Sequence, residues 1–373
     1  MSDVTRVLFV IHDLHLGGAE KVLVNLVNHM DQTRFEVTVL ALFGGGINEQ
    51  FLRPEIRLLH GHAKAWPGNS HLMKLFSPRA LYKHYITEPY DIIISYLEGP
   101  SARIVSGCPQ DGTKLVSWIH IEQHTMARAA CSFRSAAEAK RCYGRFDRTI
   151  CVSRTVQEDF QSIFHLPRAP QVLYNTVESD VIRAGAAQPV DDGVFLPREL
   201  RLVGVGKLVP SKGFDRLLHI HKRLREEGLP VHTYLLGRGP EQGALERWVT
   251  EQGLSQSVTF LGYQTNPYRY VARCDLFVCA SHAEGFSTAA TEALIVGTPV
   301  VTTRVSGMEE MLGNDGAYGV ITANDETALY RGVREMLTTP GRLEEYKHRA
   351  AERGRMFDTE RTVAAVEDML ERL

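Results

Sequence analysis

The sequence lacks the short motifs that identify a metal or nucleotide site without further context. Among 373 residues there are six cysteines, yet none forms a CxxC pair or a cysteine–histidine spacing typical of zinc. We therefore expect reduced, mainly structural thiols and no metal site. GxGxxG and GxxxxGK(S/T) are also absent, which disfavours a dinucleotide fingerprint and a Walker loop. DxD, the usual sequence sign of a metal-bridged diphosphate, does not occur.

Long apolar runs and a strong charge of one sign are missing as well. No stretch reaches the ~20 consecutive apolar residues of a membrane span. The N-terminal residues begin a strand without a basic leader and a cleavable apolar segment, so we expect a cytoplasmic chain. The net charge of −2 disfavours nucleic-acid binding, and 44% hydrophobic with 23% charged residues is typical of a globular protein.

Strand-length apolar runs such as RVLFVI and DIIISYL alternate with helical patterns such as AEKVLVNLVNHM. This alternation predicts parallel sheets covered on both faces. It breaks down between about Asn175 and Glu199 and then restarts. We therefore predict an α/β fold with two Rossmann-like, doubly wound domains, residues 1–180 and 181–355, followed by a C-terminal segment, 356–373. The two domains would face each other across a crevice, where ligands bind at the carboxyl ends of the strands.

Glycines and lysines follow two of the predicted strands. Gly17 and Gly18 stand between the first strand and a helix, where backbone amides could approach an anion, although a plain turn has the same sequence. Later, Gly206 ends a strand, and Lys207 and Lys212 lie in the loop before the next helix. Two ammonium groups at such a loop suit a diphosphate, and the alternative is a solvated loop with ordinary surface lysines.

Two carboxylates flank the start of another predicted helix, in the segment AEGFSTAATEALIVGTPVV. Glu284 lies in the loop at the carboxyl end of the strand DLFVCAS, and Glu292 lies about one and a half turns into the helix. Vicinal hydroxyls of a ribose or a hexose would satisfy both acceptors. The alternative is a solvated Glu284 and an exposed Glu292.

The remaining candidates are a histidine and a basic segment. His120 ends the strand LVSWIH and could be a hydrogen-bond donor or general base, or a structural residue. Residues 126–154 carry seven basic residues against two acidic ones, which suits either a helix on an anionic membrane or a solvated face. The segment HGHAKAWPGNSHLMKLF is an acceptor-side loop or an ordinary surface loop, and Trp66 within it could stack on a sugar.

In order and spacing, these features together resemble the retaining glycosyltransferases of family 4. The matching elements are GG after the first strand, histidine after a mid-domain strand, GKLxxxKG, and an E-x7-E segment followed by ALxxGxPVV. The resemblance covers nearly the whole chain and implies the GT-B architecture of two Rossmann-like domains. It also implies that the last helix crosses back onto the N-terminal domain, with the acceptor on that domain and the nucleotide-sugar on the C-terminal one.

The resemblance implies catalytic roles for His120, Lys207, Lys212 and Glu284, without a metal or another cofactor. Lys207 and Lys212 would hold the diphosphate, and Lys207 stands where the family more often has arginine. His120 and Glu284 would contact the transferred sugar, and Glu292 the ribose. The implied donor site comprises Gly17, Gly18, Gly206, Lys207, Lys212, Gly237, Leu261, Gly262, Tyr263, Glu284, Gly285, Phe286, Ser287 and Glu292.

The resemblance therefore predicts a retaining, metal-independent transferase that moves a hexosyl or N-acetylhexosaminyl group from a UDP-sugar to a glycan or lipid-linked acceptor. The family context suggests bacterial surface polysaccharide, such as lipopolysaccharide or capsule, with the inner leaflet of the membrane as a further partner. The alternatives are a GDP-mannose-dependent mannosyltransferase, a sugar-nucleotide epimerase and a non-catalytic partner subunit. A dehydrogenase is disfavoured because GxGxxG is absent.

Overall fold

The computed structural model describes residues 4–15, 17–64, 72–109, 112–190, 193–195, 197–313 and 315–373. Trp66 of the predicted acceptor-side loop lies outside these residues. The chain divides into two compact units. The first unit comprises Met1–Thr176 and Thr359–Leu373, and the second unit comprises Val177–Asp358.

The first unit contains a parallel sheet of seven strands in the order β3-β2-β1-β4-β5-β6-β7. The strands are β1 Thr5–Ile11, β2 Phe35–Phe43, β3 Arg57–His62, β4 Ile92–Ser95, β5 Lys114–Ile119, β6 Arg148–Cys151 and β7 Gln171–Val172. The α-helices between and after them are Gly18–His29, Pro78–Tyr85, Pro100–Val105, Met126–Ala129, Ala136–Tyr143, Arg154–Phe164 and Thr359–Glu371. A 3₁₀ turn, Ile47–Phe51, follows β2.

The second unit contains a parallel sheet of six strands in the order β10-β9-β8-β11-β12-β13. The strands are β8 Leu200–Val205, β9 Val231–Leu236, β10 Val258–Gly262, β11 Leu276–Cys279, β12 Val300–Thr303 and β13 Val320–Thr322. The α-helices are Ser179–Ala187, Phe214–Glu226, Gln242–Glu251, Tyr268–Val271, Thr288–Ile295, Met308–Leu312, Glu326–Thr338 and Arg342–Gly354, and a 3₁₀ turn covers Pro210–Lys212.

Burial explains why the strand runs are nearly continuous in apolar residues. Every residue of Ile92–Ser95, Val231–Leu236 and Leu276–Cys279 is buried, as expected for parallel strands covered on both faces. The helix Arg154–Phe164 instead buries one face, Val156, Phe160 and Phe164, at helical spacing. These two patterns confirm the predicted α/β class with two parallel sheets.

The last helix, Thr359–Glu371, belongs to the first unit and is attached there by charged groups. The Glu367 carboxylate accepts a hydrogen bond from the backbone N of Asp31 at 2.7 Å and pairs with Arg34 at 2.9 Å. Arg34 also pairs with Glu371 at 2.5 Å. Among the residues that the structure describes, no helix has the length and apolar character needed to cross a bilayer.

Both sheets reverse their direction of growth at one place, which defines where a ligand can bind. In the first sheet the reversal lies between β1 and β4, and in the second between β8 and β11. Loops that leave the carboxyl ends of such neighbouring strands diverge and leave room between them. The sequence-predicted site residues can therefore be located by the strand that each one follows.

Candidate functional site

Glycines at the ends of three neighbouring strands bring the backbone of the second sheet close together. The backbone N of Gly206, after β8, donates to Leu236 O at 2.9 Å, and the N of Gly237, after β9, donates to Gly262 O at 2.8 Å. A Cβ on Gly237 would lie 1.8 Å from Gly206 O, and Gly237 has a φ of +136°. This edge therefore tolerates no side chain at Gly237.

The lysine loop after β8 is fastened to the loop after β11. Lys207 is exposed, and Lys212 ends the 3₁₀ turn before the helix Phe214–Glu226. Gly213 follows with a φ of +63°, and a Cβ there would lie 2.2 Å from Ala280 O. The left-handed backbone and this close approach both favour glycine, and together they fix Lys212 beside β11.

Glu284 is paired with Lys212. Lys212 Nζ donates to Glu284 Oε1 at 2.6 Å, and Ser281 Oγ donates to the same oxygen at 2.7 Å. The Glu284 side chain is 9% exposed and that of Lys212 is 29% exposed. A nearly buried carboxylate needs partners of this kind, so the solvated alternative for Glu284 is wrong.

Ser281 was missed in the sequence, and it positions the glutamate. Its backbone O accepts a hydrogen bond from Thr303 Oγ1 at 2.6 Å, which ties it to the end of β12. Cys279 Sγ lies 3.5 Å from Ser281 Oγ. The available signal was a serine directly after a buried strand and three residues before the glutamate.

A buried arginine braces the same loop from the helix Phe214–Glu226. Arg216 donates to Asn324 Oδ1 at 2.8 Å and to His282 Nδ1 at 2.9 Å. Asn324 in turn donates to His282 O at 3.0 Å. The three side chains hold the backbone between β11 and Glu284, and no sequence pattern indicated them.

Glu292 points inward from the helix Thr288–Ile295. It is 8% exposed, and Tyr268 Oη donates to its Oε1 at 3.4 Å. Ser287 caps the start of this helix, and its hydroxyl accepts a hydrogen bond from the N of Ala290 at 3.4 Å. Phe286 before it is 7% exposed. The alternative of an exposed Glu292 is therefore wrong.

Gly285 and the end of β10 complete this edge of the second unit. A Cβ on Gly307 would lie 2.8 Å from Gly285 O, so the two loops touch through their backbones. Leu261 falls in a bulge of β10, and its O accepts a hydrogen bond from Gln264 at 2.7 Å. Tyr263 after the bulge is 37% exposed.

An exposed cation that the sequence analysis missed lies at the same edge. Arg238 follows Gly237, and a Cβ on Gly262 would lie 3.7 Å from Arg238 Nε. The segment LGRGP directly after β9 was the signal that could have identified it. Arg238 adds positive charge to an edge that already carries Lys207 and Lys212.

The glycine pair after β1 leaves space for a carboxylate from the helix Gly18–His29, which follows it. A Cβ on Gly17 would lie 2.0 Å from Glu20 Oε2, so the Glu20 side chain folds over Gly17. Glu20 is in the first turn of Gly18–His29, where the helix dipole favours a negative charge. Gly17 and Gly18 are exposed.

His120, after β5, is neutral and only partly hydrogen-bonded. Its Nε2 is buried without a hydrogen-bond partner among the described residues. Its ring lies 4.8 Å from that of Tyr96, between centroids. Burial lowers the pKa of His120 to about 3, and a hydrogen bond with the Tyr96 backbone opposes this shift. At neutral pH the imidazole is therefore uncharged.

Glu98 positions the loop that carries His120. The Glu98 carboxylate accepts hydrogen bonds from His120 N at 3.3 Å, Ile121 N at 3.1 Å and Gln123 Nε2 at 3.2 Å. Burial raises the pKa of Glu98, and the hydrogen bonds from the His120 and Ile121 backbone oppose this shift. Glu98 follows β4, the neighbour of the strand β5 that His120 follows. This position was the sequence signal that could have identified Glu98.

Among the described residues, one group of three candidate metal ligands combines two residues of the same loop with one of the helix Arg154–Phe164. Atoms of Glu122, His124 and Asp159 that could bind a metal lie within 4.8 Å of one another. One Asp159 carboxylate oxygen, Oδ2, accepts a hydrogen bond from the backbone N of Gln123 at 2.6 Å. The other, Oδ1, accepts one from the backbone N of His124 at 3.1 Å. His124 has a φ of +60°. The Asp159 carboxylate therefore holds a tight turn.

Comparison with known proteins gives matches over nearly the whole chain. Residues 16–181 match the family described as "Glycosyltransferase Family 4", and residues 194–356 match "Glycosyl transferases group 1". The solved structure of Anabaena HepE with UDP and glucose is similar in fold, with a TM-score of 0.79. The two sequences are 18% identical, and the match covers 99% of this chain and 100% of the HepE chain.

Two curated relatives match shorter parts. One is the N-acetylgalactosamine-N,N'-diacetylbacillosaminyl-diphospho-undecaprenol 4-alpha-N-acetylgalactosaminyltransferase of Campylobacter jejuni, 28% identical over 58% of each chain. The other is a GDP-mannose-dependent alpha-(1-6)-phosphatidylinositol dimannoside mannosyltransferase of Mycobacterium tuberculosis, 27% identical over 64% of this chain and 61% of the relative. This chain thus spans about three fifths of the length of either relative.

Proposed function

We propose that this chain, which belongs to the glycosyltransferases of family 4 with the GT-B fold, transfers a sugar from a nucleoside diphosphate to a glycan or lipid-linked acceptor. The observation that carries the proposal is the Lys212–Glu284 pair at the reversal point of the second sheet. A nucleotide-sugar offers a partner to each member of this pair, since its diphosphate suits the ammonium and its hydroxyls suit the carboxylate.

The second unit would bind the donor by replacing the contact between Lys212 and Glu284 with contacts to the ligand. The diphosphate takes over the Lys212 ammonium, with Lys207 as a second cation, and the sugar hydroxyls donate to Glu284. Ser281 keeps its hydrogen bond to Glu284 and so preserves the orientation of the carboxylate. Glu292 binds the ribose hydroxyls, and the exposed backbone around Leu261 and Tyr263 contacts the base.

The transfer would proceed with retention of configuration and without a metal. The bond from the anomeric carbon to the diphosphate oxygen breaks through an oxocarbenium-like state, and the acceptor oxygen attacks the same face. The leaving diphosphate takes the acceptor proton, while Lys207, Lys212 and amides at the N-terminus of Thr288–Ile295 stabilise its charge.

His120 would serve as a hydrogen-bonding group. An imidazole with a pKa of about 3 is a weak base, so it does not abstract the acceptor proton at neutral pH. Its buried Nε2 can instead hydrogen bond to a substrate hydroxyl. The predicted contacts of Gly17 and Gly18 with the donor stay predictions.

We favour a UDP-linked hexose or N-acetylhexosamine as donor and a lipid-linked acceptor in surface polysaccharide synthesis. Similarity to the Campylobacter enzyme supports an N-acetylhexosaminyl group and an isoprenyl diphosphate acceptor. Similarity to the mycobacterial enzyme supports GDP-mannose as the alternative donor.

The test is to incubate the protein, with and without EDTA, with UDP-GlcNAc, UDP-GalNAc, UDP-glucose or GDP-mannose and undecaprenyl-diphosphate-linked acceptors. We expect one donor to give an α-linked product by NMR, with a yield that EDTA does not change. A β-linked product would contradict retention, and loss of product in EDTA would contradict metal independence. Binding of a donor with no transfer to any acceptor would favour the non-catalytic alternative.

A further inference from the structure

We propose that Arg238 reads the base of the donor nucleotide. Its guanidinium selects uracil or guanine, which carry a ring carbonyl, over cytosine or adenine, which carry an amino group at the corresponding position. This role presupposes the proposed function, since it belongs to the nucleotide-sugar site of the second unit. Arg238 is not among the residues that the family resemblance implies for that site, and it would contact the ligand directly.

The backbone of Arg238 is fixed among the strand ends. Arg238 stands between Gly237 and Gly239 directly after β9, the strand that lies between β8 and β10. A Cβ on Gly237 would lie 1.8 Å from Gly206 O, and one on Gly239 would lie 2.2 Å from Leu208 O. The N of Leu208 also donates to Arg238 O at 3.0 Å. The segment after β9 therefore lies against the lysine loop, with Arg238 as the side chain between two glycines.

The guanidinium of Arg238 leans toward the end of β10. A Cβ on Gly262 would lie 3.7 Å from Arg238 Nε and 3.9 Å from its Nη2. Gly262 has a φ of +66°, a left-handed conformation that favours glycine. Arg238 is exposed, and its guanidinium has no hydrogen bond or ion pair with any other described residue. Its five N–H donors are therefore available to a ligand.

The backbone acceptors at the end of β10 are already in use. Gly262 O accepts a hydrogen bond from the N of Gly237 at 2.8 Å, and Leu261 O accepts one from Gln264 Nε2 at 2.7 Å. An amino group of a base would compete for these oxygens, whereas a carbonyl group would find the Arg238 guanidinium without a competitor. The end of β10 therefore offers the base a donor more readily than an acceptor.

The order of the strands places Arg238 beside the base. Along the sheet the order is β10-β9-β8-β11. In the proposed function the base lies after β10, the diphosphate at the lysines after β8, and the transferred sugar at Glu284 after β11. This is the order of the three groups in a nucleotide-sugar. Arg238, after β9, falls between base and diphosphate, and the approach of its Nε and Nη2 to Gly262 favours the base.

A guanidinium distinguishes bases because it donates hydrogen bonds and accepts none. Uracil has O4 and guanine has O6 where cytosine and adenine have an amino group. Arginine can donate paired hydrogen bonds to O6 and N7 of guanine, and it can donate to O4 of uracil. The amino group of cytosine or adenine would instead direct N–H groups toward a positive charge. Arg238 therefore predicts a uridine or guanosine nucleotide as donor.

The test is calorimetric titration of the full chain with the matched pairs UDP and CDP, and GDP and ADP. We expect wild type to bind the carbonyl member of its preferred pair about tenfold or more tightly than the amino member. In Arg238→Met the affinity for the carbonyl member should fall by about tenfold, while that for the amino member stays the same. Inosine diphosphate, which has O6 without the 2-amino group of guanine, should behave like GDP.

Two further variants control for charge and for folding. Arg331→Met removes another exposed arginine of the same unit, on the helix Glu326–Thr338, and should leave every affinity unchanged. Arg238→Lys keeps the positive charge but loses the planar fork, so it should lose most of the discrimination between the pair members. Circular dichroism reports whether each variant is folded, and Arg238→Lys decides where Arg238→Met does not fold.

An equal loss of affinity for carbonyl and amino nucleotides in Arg238→Met would overturn the proposal and place Arg238 on the diphosphate. Equal binding of both pair members by wild type would overturn it too, as would an unchanged preference in a folded variant. In these three cases a nucleotide still binds, so the proposed transferase function stands. Absence of binding of every nucleotide would contradict the proposed function itself, and this role of Arg238 with it.

Discussion

The carboxyl-end edges of the two sheets contain different chemistry although their topology is alike. At the edge of the second sheet, glycines bring three strand ends together, and Lys212 and Glu284 form a half-buried ion pair. At the edge of the first sheet, the Tyr96 ring lies beside a neutral His120, and Glu98 binds backbone amides. We propose that the edge of the second sheet supplies charge to a ligand, and that the edge of the first sheet supplies shape and hydrogen bonds.

This comparison also shows that burial alone does not indicate which histidine has a ring nitrogen available for a ligand. Burial lowers the pKa of His221 in the second unit to about 3, as it does for His120. Both ring nitrogens of His221 are bonded, Nε2 to Ser257 Oγ at 2.9 Å and Nδ1 to Thr233 Oγ1 at 2.9 Å. Nε2 of His120 has no partner among the described residues. The unsatisfied nitrogen at a strand end distinguishes His120.

We expect the largest effect from Glu284→Gln. The amide cannot pair with Lys212 or accept charge-assisted hydrogen bonds from a sugar, so kcat/KM should fall by about 10²–10³-fold. Steady-state kinetics with the active donor measures this. Glu251→Gln, at the exposed end of the helix Gln242–Glu251, is the matched control and should leave kcat/KM unchanged. A change in Glu284→Gln no larger than in this control would remove the charged pair from the mechanism.

The two lysines should differ in importance. Lys212 is held against β11 by Gly213, whereas Lys207 is exposed, so Lys212→Met should lower kcat by about 10²-fold and Lys207→Met by about tenfold. Lys207→Arg restores the family's more frequent residue and should retain activity. Equal losses in the two methionine variants would contradict the distinction between a fixed and a mobile cation.

His120→Gln should lower kcat/KM roughly tenfold through one lost hydrogen bond. The wild-type pH profile should show no limb from this imidazole between pH 5 and 8, because its folded pKa is about 3. A limb near pH 6.5 that disappears in the variant would show that His120 titrates as an acid or base in the mechanism.

The same histidine should contribute to acid sensitivity of folding. A pKa depressed from about 6.5 in the unfolded chain means that the unfolded state binds the extra proton. The contribution of the neutral His120 imidazole to the free energy of unfolding is therefore fully present above pH 6.5, and it declines as the pH falls toward 3. His120→Gln should lose about 2 kcal/mol less stability than wild type between pH 7 and pH 5, measured by urea unfolding. Parallel wild-type and variant curves would indicate that His120 has an ordinary pKa.

Ser281→Ala should give the smallest change. The variant removes one of two partners of Glu284 Oε1 and leaves the lysine in place, so we expect a loss of about three- to tenfold in kcat/KM. Cys279→Ser, at the end of β11 two positions earlier, tests whether the neighbouring thiol matters. A loss as large as that of Glu284→Gln would mean that the serine itself contacts the substrate.

The strand and helix pattern could be predicted because burial on both faces leaves a clear apolar signature. The helix Gly18–His29 matches the predicted pattern AEKVLVNLVNHM, and the helix Thr288–Ile295 lies within the segment between Phe286 and Gly297. The two-residue strand β7 was missed because Gln171 is exposed and the strand is too short for a pattern.

Contacts between residues distant in sequence could not be predicted. Ser281 orients Glu284 only because β12 returns beside β11, and Arg103 donates to the backbone O of Met73, 30 positions earlier in the chain. A sequence pattern reports the neighbours of a residue along one element. The loops at the strand ends are instead held by hydrogen bonds between elements, and these determine which side chain is available to a ligand.

The central claim is that the second unit binds a nucleotide-sugar through its charged strand ends. Calorimetric titration with UDP, GDP and ADP and their sugars, on wild type and Glu292→Ala, tests it most directly. We predict binding of one nucleotide class, with UDP favoured, and a loss of about tenfold or more in affinity for the variant, because the ribose hydroxyls lose their acceptor. No binding of any nucleotide at millimolar concentration, or unchanged affinity in Glu292→Ala, would contradict the account.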